Sequence, residues 1–209
     1  ATLGLTRACL EVCAKYRNPV GIITKGVIAA RDLDLFTQLY EQAWIRVYFS
    51  IAFADDDTAR LVEPQAPGIE ARFEAMHVLS EAGIPTGISV APIIPGLNEE
   101  AIPEILSRAK QAGATSATGS LLRLPGNVEH VFVDRMREAF PDRITKIMHR
   151  IREVRGGALS EAEFFSRHHG TGTYWRCVEQ LFELGRRRAG FESDELPAPQ
   201  TFRRPTAQQ

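Results

Sequence analysis

Between Ala82 and Glu99 the chain reads AGIPTGISVAPIIPGLNE, and no other stretch restricts its fold as tightly. Gly83 suits the left-handed end of a helix, residues 86–91 read as an apolar strand, and Pro92, Pro95 and Gly96 confine the loop leading into the next helix. A strand that empties into such a loop belongs to a βα unit of a parallel sheet or barrel. Ligands of those folds sit at that end of the strand.

The rest of the chain repeats this grammar. Helical spacing covers residues 5–16, 32–42 with Asp32 as N-cap, 69–81 and 99–111, while apolar strands cover 20–24, 46–53, 86–91 and 116–123. The order βαβαβαβ carries no hairpin signal, so the strands are expected to lie parallel as neighbours in chain order. The joints Ala82-Gly83-Ile84 and Ala112-Gly113-Ala114 share one form, a weak internal repeat of the kind a (β/α) barrel produces. Past Pro125 the pattern turns helical over 128–140, 143–154 and 174–188. Leu196-Pro197-Ala198-Pro199 and residues 206–209 read as a mobile tail. The expected division is a partial barrel at 1–125, a helical extension at 126–190 and the tail at 191–209. Four strands do not close a barrel, and the chain opens at Ala1 almost directly on an amphipathic helix, so further N-terminal βα units are expected upstream.

Composition excludes several classes. With 209 residues, 44% apolar and 24% charged, the chain can bury a full core. A net charge of -1 provides no overall pull toward nucleic acid or membrane. No apolar run approaches the roughly 20 residues of a spanning helix and no signal-peptide pattern opens the chain, so a cytoplasmic protein is expected. Cys9, Cys13 and Cys177 are too few and too scattered for a disulfide framework, which fits a reducing compartment.

The residues that finish the strands are the candidates for chemistry: Lys25, Ser50, Ala91 and Pro92 through Asn98, and Arg123. Together they suit a small zwitterionic nucleoside, with a cation for a carboxylate, a hydroxyl for a polar group and apolar backbone for a purine. Each also has a plainer reading. Lys25 can be a solvated strand end, Ser50 can bond to backbone, and Arg123 can pair with a neighbouring Glu. Pro92, Pro95 and Gly96 can simply shape a turn, and Asn98 is expected to cap the helix that follows.

Other patterns point away from familiar sites. Gly21 to Gly26 has the glycine spacing of a phosphate loop, but Val27-Ile28 replaces the Lys and Ser/Thr that such a loop requires. Gly170-Thr171-Gly172 lacks the third glycine of a dinucleotide fingerprint. His168-His169 lacks partners at metal-ligand spacing, and Cys9 and Cys13, one turn apart, have Tyr16 where a third cysteine would complete a cluster motif. No metal ligand is assigned. The segment 143–155 carries Arg143, Lys146, Arg150, Arg152 and Arg155 around an apolar stripe, read as a solvated face, with a phosphate-backbone contact as the alternative.

Several runs carry a family likeness: Leu5-Thr6-Arg7, Cys9-Leu10-Glu11-Val12, Arg17-Asn18-Pro19-Val20, Ile23-Thr24-Lys25, Arg31-Asp32-Leu33-Asp34-Leu35, Leu61-Val62-Glu63-Pro64, residues 81–98 and Leu121-Leu122-Arg123-Leu124-Pro125. From residue 5 to about 172 the chain resembles the later part of bacterial radical S-adenosylmethionine (SAM) proteins related to spore photoproduct lyase. The resemblance implies a partial (β/α)6 TIM-type barrel with about four of its strands here. It also implies SAM and a [4Fe-4S] cluster as cofactors, reductive cleavage of SAM to a 5′-deoxyadenosyl radical, and an electron donor such as flavodoxin or ferredoxin. By position, Lys25 would meet the methionine carboxylate and Ser50 a polar group of SAM. Val90, Ala91, Pro92 and Pro95 would flank adenine, and Leu122 and Arg123 would close the far side. The family's Cys-x-x-x-Cys-x-x-Cys run is absent from this sequence, so its cluster ligands are expected upstream and this stretch alone is expected to be inactive. The substrate is left open, DNA entering by analogy only. The rival readings are a redox-free TIM-barrel aldolase or isomerase and a non-catalytic interaction module.

Overall fold

The computed structural model describes residues 4–27, 31–159, 168–192 and 198–205. Four strands, β1 (Val20–Thr24), β2 (Ile45–Ser50), β3 (Thr86–Ile93) and β4 (Ser116–Leu121), form a parallel sheet in the order β1-β2-β3-β4. This is the α/β, partial-barrel arrangement expected from the βα alternation. The strands are joined by α2 (Leu33–Gln42), by α3 (Asp56–Val62) with α4 (Ile69–Glu81), and by α5 (Ile102–Gln111); α1 (Leu5–Lys15) precedes them. Gly83 and Gly113, at φ +77° and +91°, end α4 and the α5 turn in the left-handed region, as the repeated joint requires.

One face of the sheet packs on helices. Ile45, Val47, Phe49, Ile88 and Val90 point into the core, where α2, α4 and α5 contribute Leu39, Met76, Leu79, Ile105 and Leu106. Full burial of each such side chain is worth about 1.5–3 kcal/mol. The opposite face carries Ile23, Tyr48, Gly87 and Ser116 in one cross-strand row and Ser50, Ser89 and Thr118 in the next. Gly87 is small of necessity, because a Cβ there would lie 2.6 Å from both Ser116 Oγ and the Tyr48 ring.

Several boundaries differ from expectation. β2 stops at Ser50 rather than 53: Ile51, Ala52 and Phe53 stay buried, but only Ile51 continues the bonding, donating to the Ser89 carbonyl at 3.1 Å. β3 extends to Ile93, and β4 ends at Leu121, leaving Arg123 in the exit loop. The helix expected over 99–111 begins as a 3-10 turn, Glu99–Ala101, before α5. The sequence carries no expectation of the short α3; its signal is Asp55, which accepts from Thr58 N at 2.7 Å as an N-cap. Asp32 precedes α2 without capping it, since Arg7 and Arg31 donate to its carboxylate.

The helical part comprises α6 (Val128–Ala139), α7 (Ile144–Val154) and α8 (Gly172–Arg188), with α8 packed on α5 and α7. Segment 143–155 is more than a solvated face, because the arginines at both its ends donate inward to backbone carbonyls. Within the segment expected as a tail, residues 193–197, which include Leu196 and Pro197, and residues 206–209 lie outside the described residues. Between them, Thr201 Oγ1 donates to the Arg17 carbonyl at 2.9 Å and Arg203 N to the Tyr16 carbonyl at 2.8 Å, so this piece lies against the end of α1. No described helix is long and apolar enough to cross a membrane.

Candidate functional site at the strand ends

The carboxyl ends of β1, β2 and β3 are joined by one chain of polar contacts. Lys25, the residue after β1, forms an ion pair with Glu63. The other oxygen of Glu63 accepts from Arg72 Nη1 at 3.2 Å, and the same Nη1 donates to the Ser50 carbonyl at 3.0 Å. Arg72 Nε donates to the Pro67 carbonyl at 2.8 Å. Ser50, the last residue of β2, donates through Oγ to the Ala91 carbonyl of β3 at 2.8 Å.

The burial of these groups is graded. The Arg72 side chain is 1% exposed, Glu63 10% and Lys25 39%. A guanidinium so enclosed requires its counter-ion, so Glu63 is committed to Arg72 and still pairs with Lys25. The triad carries one net positive charge, and the half-exposed ammonium is where it meets solvent. That is a suitable place for an incoming carboxylate.

Beyond β3 the backbone is fixed by Asn98. It does not cap the following helix as expected. Its Oδ1 accepts from Ile94 N at 2.7 Å, while Nδ2 donates to the Ala52 carbonyl at 2.7 Å and the Pro92 carbonyl at 3.0 Å. Glu99 Oε1 accepts from Gly96 N at 2.8 Å and from the Tyr174 hydroxyl. Burial first, and then this hydrogen bond, hold the Tyr174 phenol protonated well above its ordinary range. Arg150 lies over the Tyr174 ring, 4.2 Å from its centre.

Of the expected site residues, Ser50 and Ala91 touch directly, and Lys25 joins them through Glu63 and Arg72. Pro92 joins through Asn98, while Leu122 donates its backbone N–H to the Ile93 carbonyl at 2.9 Å. Pro95 is buried in the loop; Val90 points into the core and leaves only backbone at the strand end. Arg123 is half-buried, and its enclosed Nε has no partner among the described residues; the neighbouring-Glu pairing is not found there. The sequence assigns no site role to Glu63, Arg72 or Tyr174, and its reading of Arg143 and Arg155 as part of a solvated face overlooks their bonds to backbone carbonyls. Arg72 had a visible signal, a charge within the buried stripe Ile69, Phe73, Met76 and Leu79 of α4.

No set of three His, Cys, Asp or Glu side chains suited to a metal ion occurs among the described residues, and Cys9, Cys13 and Cys177 are free. These residues therefore do not fit a [4Fe-4S] cluster, which needs a cysteine set at ligand spacing.

The family model described as the radical SAM superfamily matches residues 3–109, just over half of the chain. The uncharacterized protein Rv2578c of Mycobacterium tuberculosis is 31% identical over 131 residues, 62% of this chain and 38% of the relative. The uncharacterized protein ORF301 of Acidianus two-tailed virus is 28% identical over 160 residues, 74% of this chain and 50% of the relative. The uncharacterized protein MJ0683 of Methanocaldococcus jannaschii is 34% identical over 93 residues, 44% of this chain and 34% of the relative. The chain thus matches half or less of the length of these curated relatives. No solved structure matches significantly.

Proposed function

The chain belongs to the radical SAM superfamily, and on that premise we propose that its strand ends form the adenosine and carboxylate side of a SAM site in a radical SAM enzyme. The observation that carries this reading is the linked polar chain from Lys25 to Ala91, which leaves one net positive charge at the strand ends. Lys25 takes the methionine carboxylate and Ser50 lies beside a polar group of SAM. The Ala91 to Pro95 backbone and the Leu122-Arg123 exit flank the purine. The whole protein's proposed reaction is one-electron reductive cleavage of SAM to methionine and a 5′-deoxyadenosyl radical, the electron coming from a low-potential donor of the flavodoxin or ferredoxin class. A closer kinship to spore photoproduct lyase-related proteins is part of the proposal and rests on motifs such as Leu61-Val62-Glu63-Pro64. The division into barrel, helical extension and tail at 125/126 and 190/191 is also part of the proposal, and rests on the change from βα alternation to a helical pattern past Pro125.

The test is calorimetric titration of SAM into the protein and its Lys25→Ala and Ser50→Ala variants under anaerobic conditions. Loss of a charge-assisted contact at Lys25 should weaken binding by about 1.5–3 kcal/mol, and loss of the neutral Ser50 contact by about 0.5–1.5 kcal/mol. Unchanged affinity in Lys25→Ala would sink the carboxylate assignment.

A further inference from the structure

Helix α7 lies beyond the matched residues 3–109, yet both of its ends reach the strand exits. At the N-cap, Arg143 Nη2 donates to the Gly96 carbonyl at 3.0 Å and the Leu97 carbonyl at 3.3 Å, in the loop after β3. At the C-cap, Arg155 Nη2 donates to the Leu122 carbonyl at 2.8 Å, in the exit of β4, and Nη1 to the His169 carbonyl at 3.1 Å. In between, the helix sits directly on the loop. A Cβ on Gly96 would lie 3.3 Å from Arg150 Cγ and 3.4 Å from the Ile147 backbone.

We propose that α7 is a strap that sets the spacing of the adenosine slot, with Arg143 and Arg155 as positioning residues at its two ends. The proposal rests on the reading above, that the exits of β3 and β4 flank the purine. A helix is the stiffest connector available to a short chain segment, rising about 1.5 Å per residue, so the separation of the backbone positions that carry the two arginines is fixed. Each guanidinium is held to its exit by charge-assisted hydrogen bonds, roughly twice as strong as neutral ones. The two exits are also joined to each other, Leu122 N donating to the Ile93 carbonyl at 2.9 Å. The backbone on both sides of the slot is therefore held before a ligand arrives, and binding needs no loop ordering.

Two probes separate this inference from the reading beneath it: SAM, and 5′-methylthioadenosine, which keeps the adenosine and lacks the carboxylate. Affinities are measured by calorimetry for the whole protein and for Arg143→Ala, Arg155→Ala, Arg143→Lys and Lys25→Ala, well below each variant's melting temperature. Arg143→Ala and Arg155→Ala are expected to weaken both probes equally, by roughly tenfold each, and Arg143→Lys to recover most of the loss. Lys25→Ala weakens SAM alone. If the alanine variants melt earlier but bind both probes as the parent does, the arginines only stabilise the fold and the strap is overturned. If the parent binds neither probe, the SAM reading and the strap fall together. If Lys25→Ala leaves SAM unchanged while the arginine variants lose both probes, the carboxylate assignment falls and the strap stands.

Discussion

Replacing Glu63 with alanine should damage this protein far more than replacing Lys25, although the two form one ion pair. Glu63→Ala leaves the Arg72 guanidinium, 1% exposed, with only the Pro67 and Ser50 carbonyls as partners. Stranding one member of a buried pair costs about 3–5 kcal/mol. Lys25 is 39% exposed, and water takes over for the lost carboxylate, so Lys25→Ala should cost about 1 kcal/mol or less. For a chain of this size each kcal/mol shifts the melting temperature by about 2–4 °C, so Glu63→Ala should melt roughly 6–20 °C early. Lys25→Ala should move by no more than about 4 °C on the same scale.

The assay is urea denaturation of the two variants beside the parent, followed by circular dichroism. Unequal midpoints at equal slope support the graded triad. A double variant, Glu63→Ala with Arg72→Met, removes both buried charges and should regain part of the loss, because an apolar side chain of similar length needs no counter-ion. Equal destabilisation by Glu63→Ala and Lys25→Ala, or a double variant worse than the sum of its parts, would refute the argument that Arg72 dictates the state of Glu63.

Three further outcomes are expected. Gly87→Ala brings a methyl to 2.6 Å from Ser116 Oγ and the Tyr48 ring, and should cost about 1–3 kcal/mol by overpacking, read from the urea midpoint. The Asp34 carboxyl, held at about 2 chiefly by the hydrogen bond from Arg7, should show that value in a carbon-detected NMR titration and return toward about 4 in Arg7→Gln. Because that pKa lies below the unfolded value, the stabilisation is present above pH of about 4 and disappears as pH falls through 2. The Tyr174 phenol is raised by burial and by Glu99, so at pH just above 10 an absorbance titration of Tyr174→Phe should match the parent in phenolate yield, and the stability contributed by the protonated phenol should decline as pH climbs past about 10.

Much of the sheet was legible because its signals are local. Apolar strands, glycine joints and helical stripes each declare themselves within a dozen residues, and parallel order follows from βα alternation. The Ala82 to Asn98 segment fixed where the candidate site would lie, since a strand opening into a Pro/Gly loop has few alternatives. Three things were not legible. Asp32 and Asn98 have the chemistry of caps, and only the fold reveals that arginines claim Asp32 and that Asn98 braces three backbone groups across 46 residues of separation. Arg143 and Arg155 sit in a helix whose charges look solvated, and nothing short of tertiary structure distinguishes an arginine facing water from one facing a carbonyl. Strand ends slipped by two or three residues in both directions: β2 stops short because burial continues past its ladder at Ile51 to Phe53, whereas β3 runs on to Ile93, which still pairs with Leu121.

The distribution of buried polar groups supports the placement proposed for the SAM site. A core interior tolerates such groups only when each finds a partner, and each partnership constrains the sequence. Of the nine buried polar side chains among the described residues, five, Ser50, Arg72, Asn98, Glu99 and Arg155, bond at or beside the carboxyl ends of the strands, whereas Thr86 and Ser116 open β3 and β4 and Asp32 pairs with Arg7 and Arg31 ahead of α2. If stability alone were at issue, apolar residues at Arg72 and Glu63 would serve as well, since replacing a buried pair by packed apolar groups is often neutral or better. A network that instead presents one net cation beside fixed backbone carbonyls is hard to account for as packing. It is what a site needs when a charged, planar ligand must be held in one orientation at a strand edge.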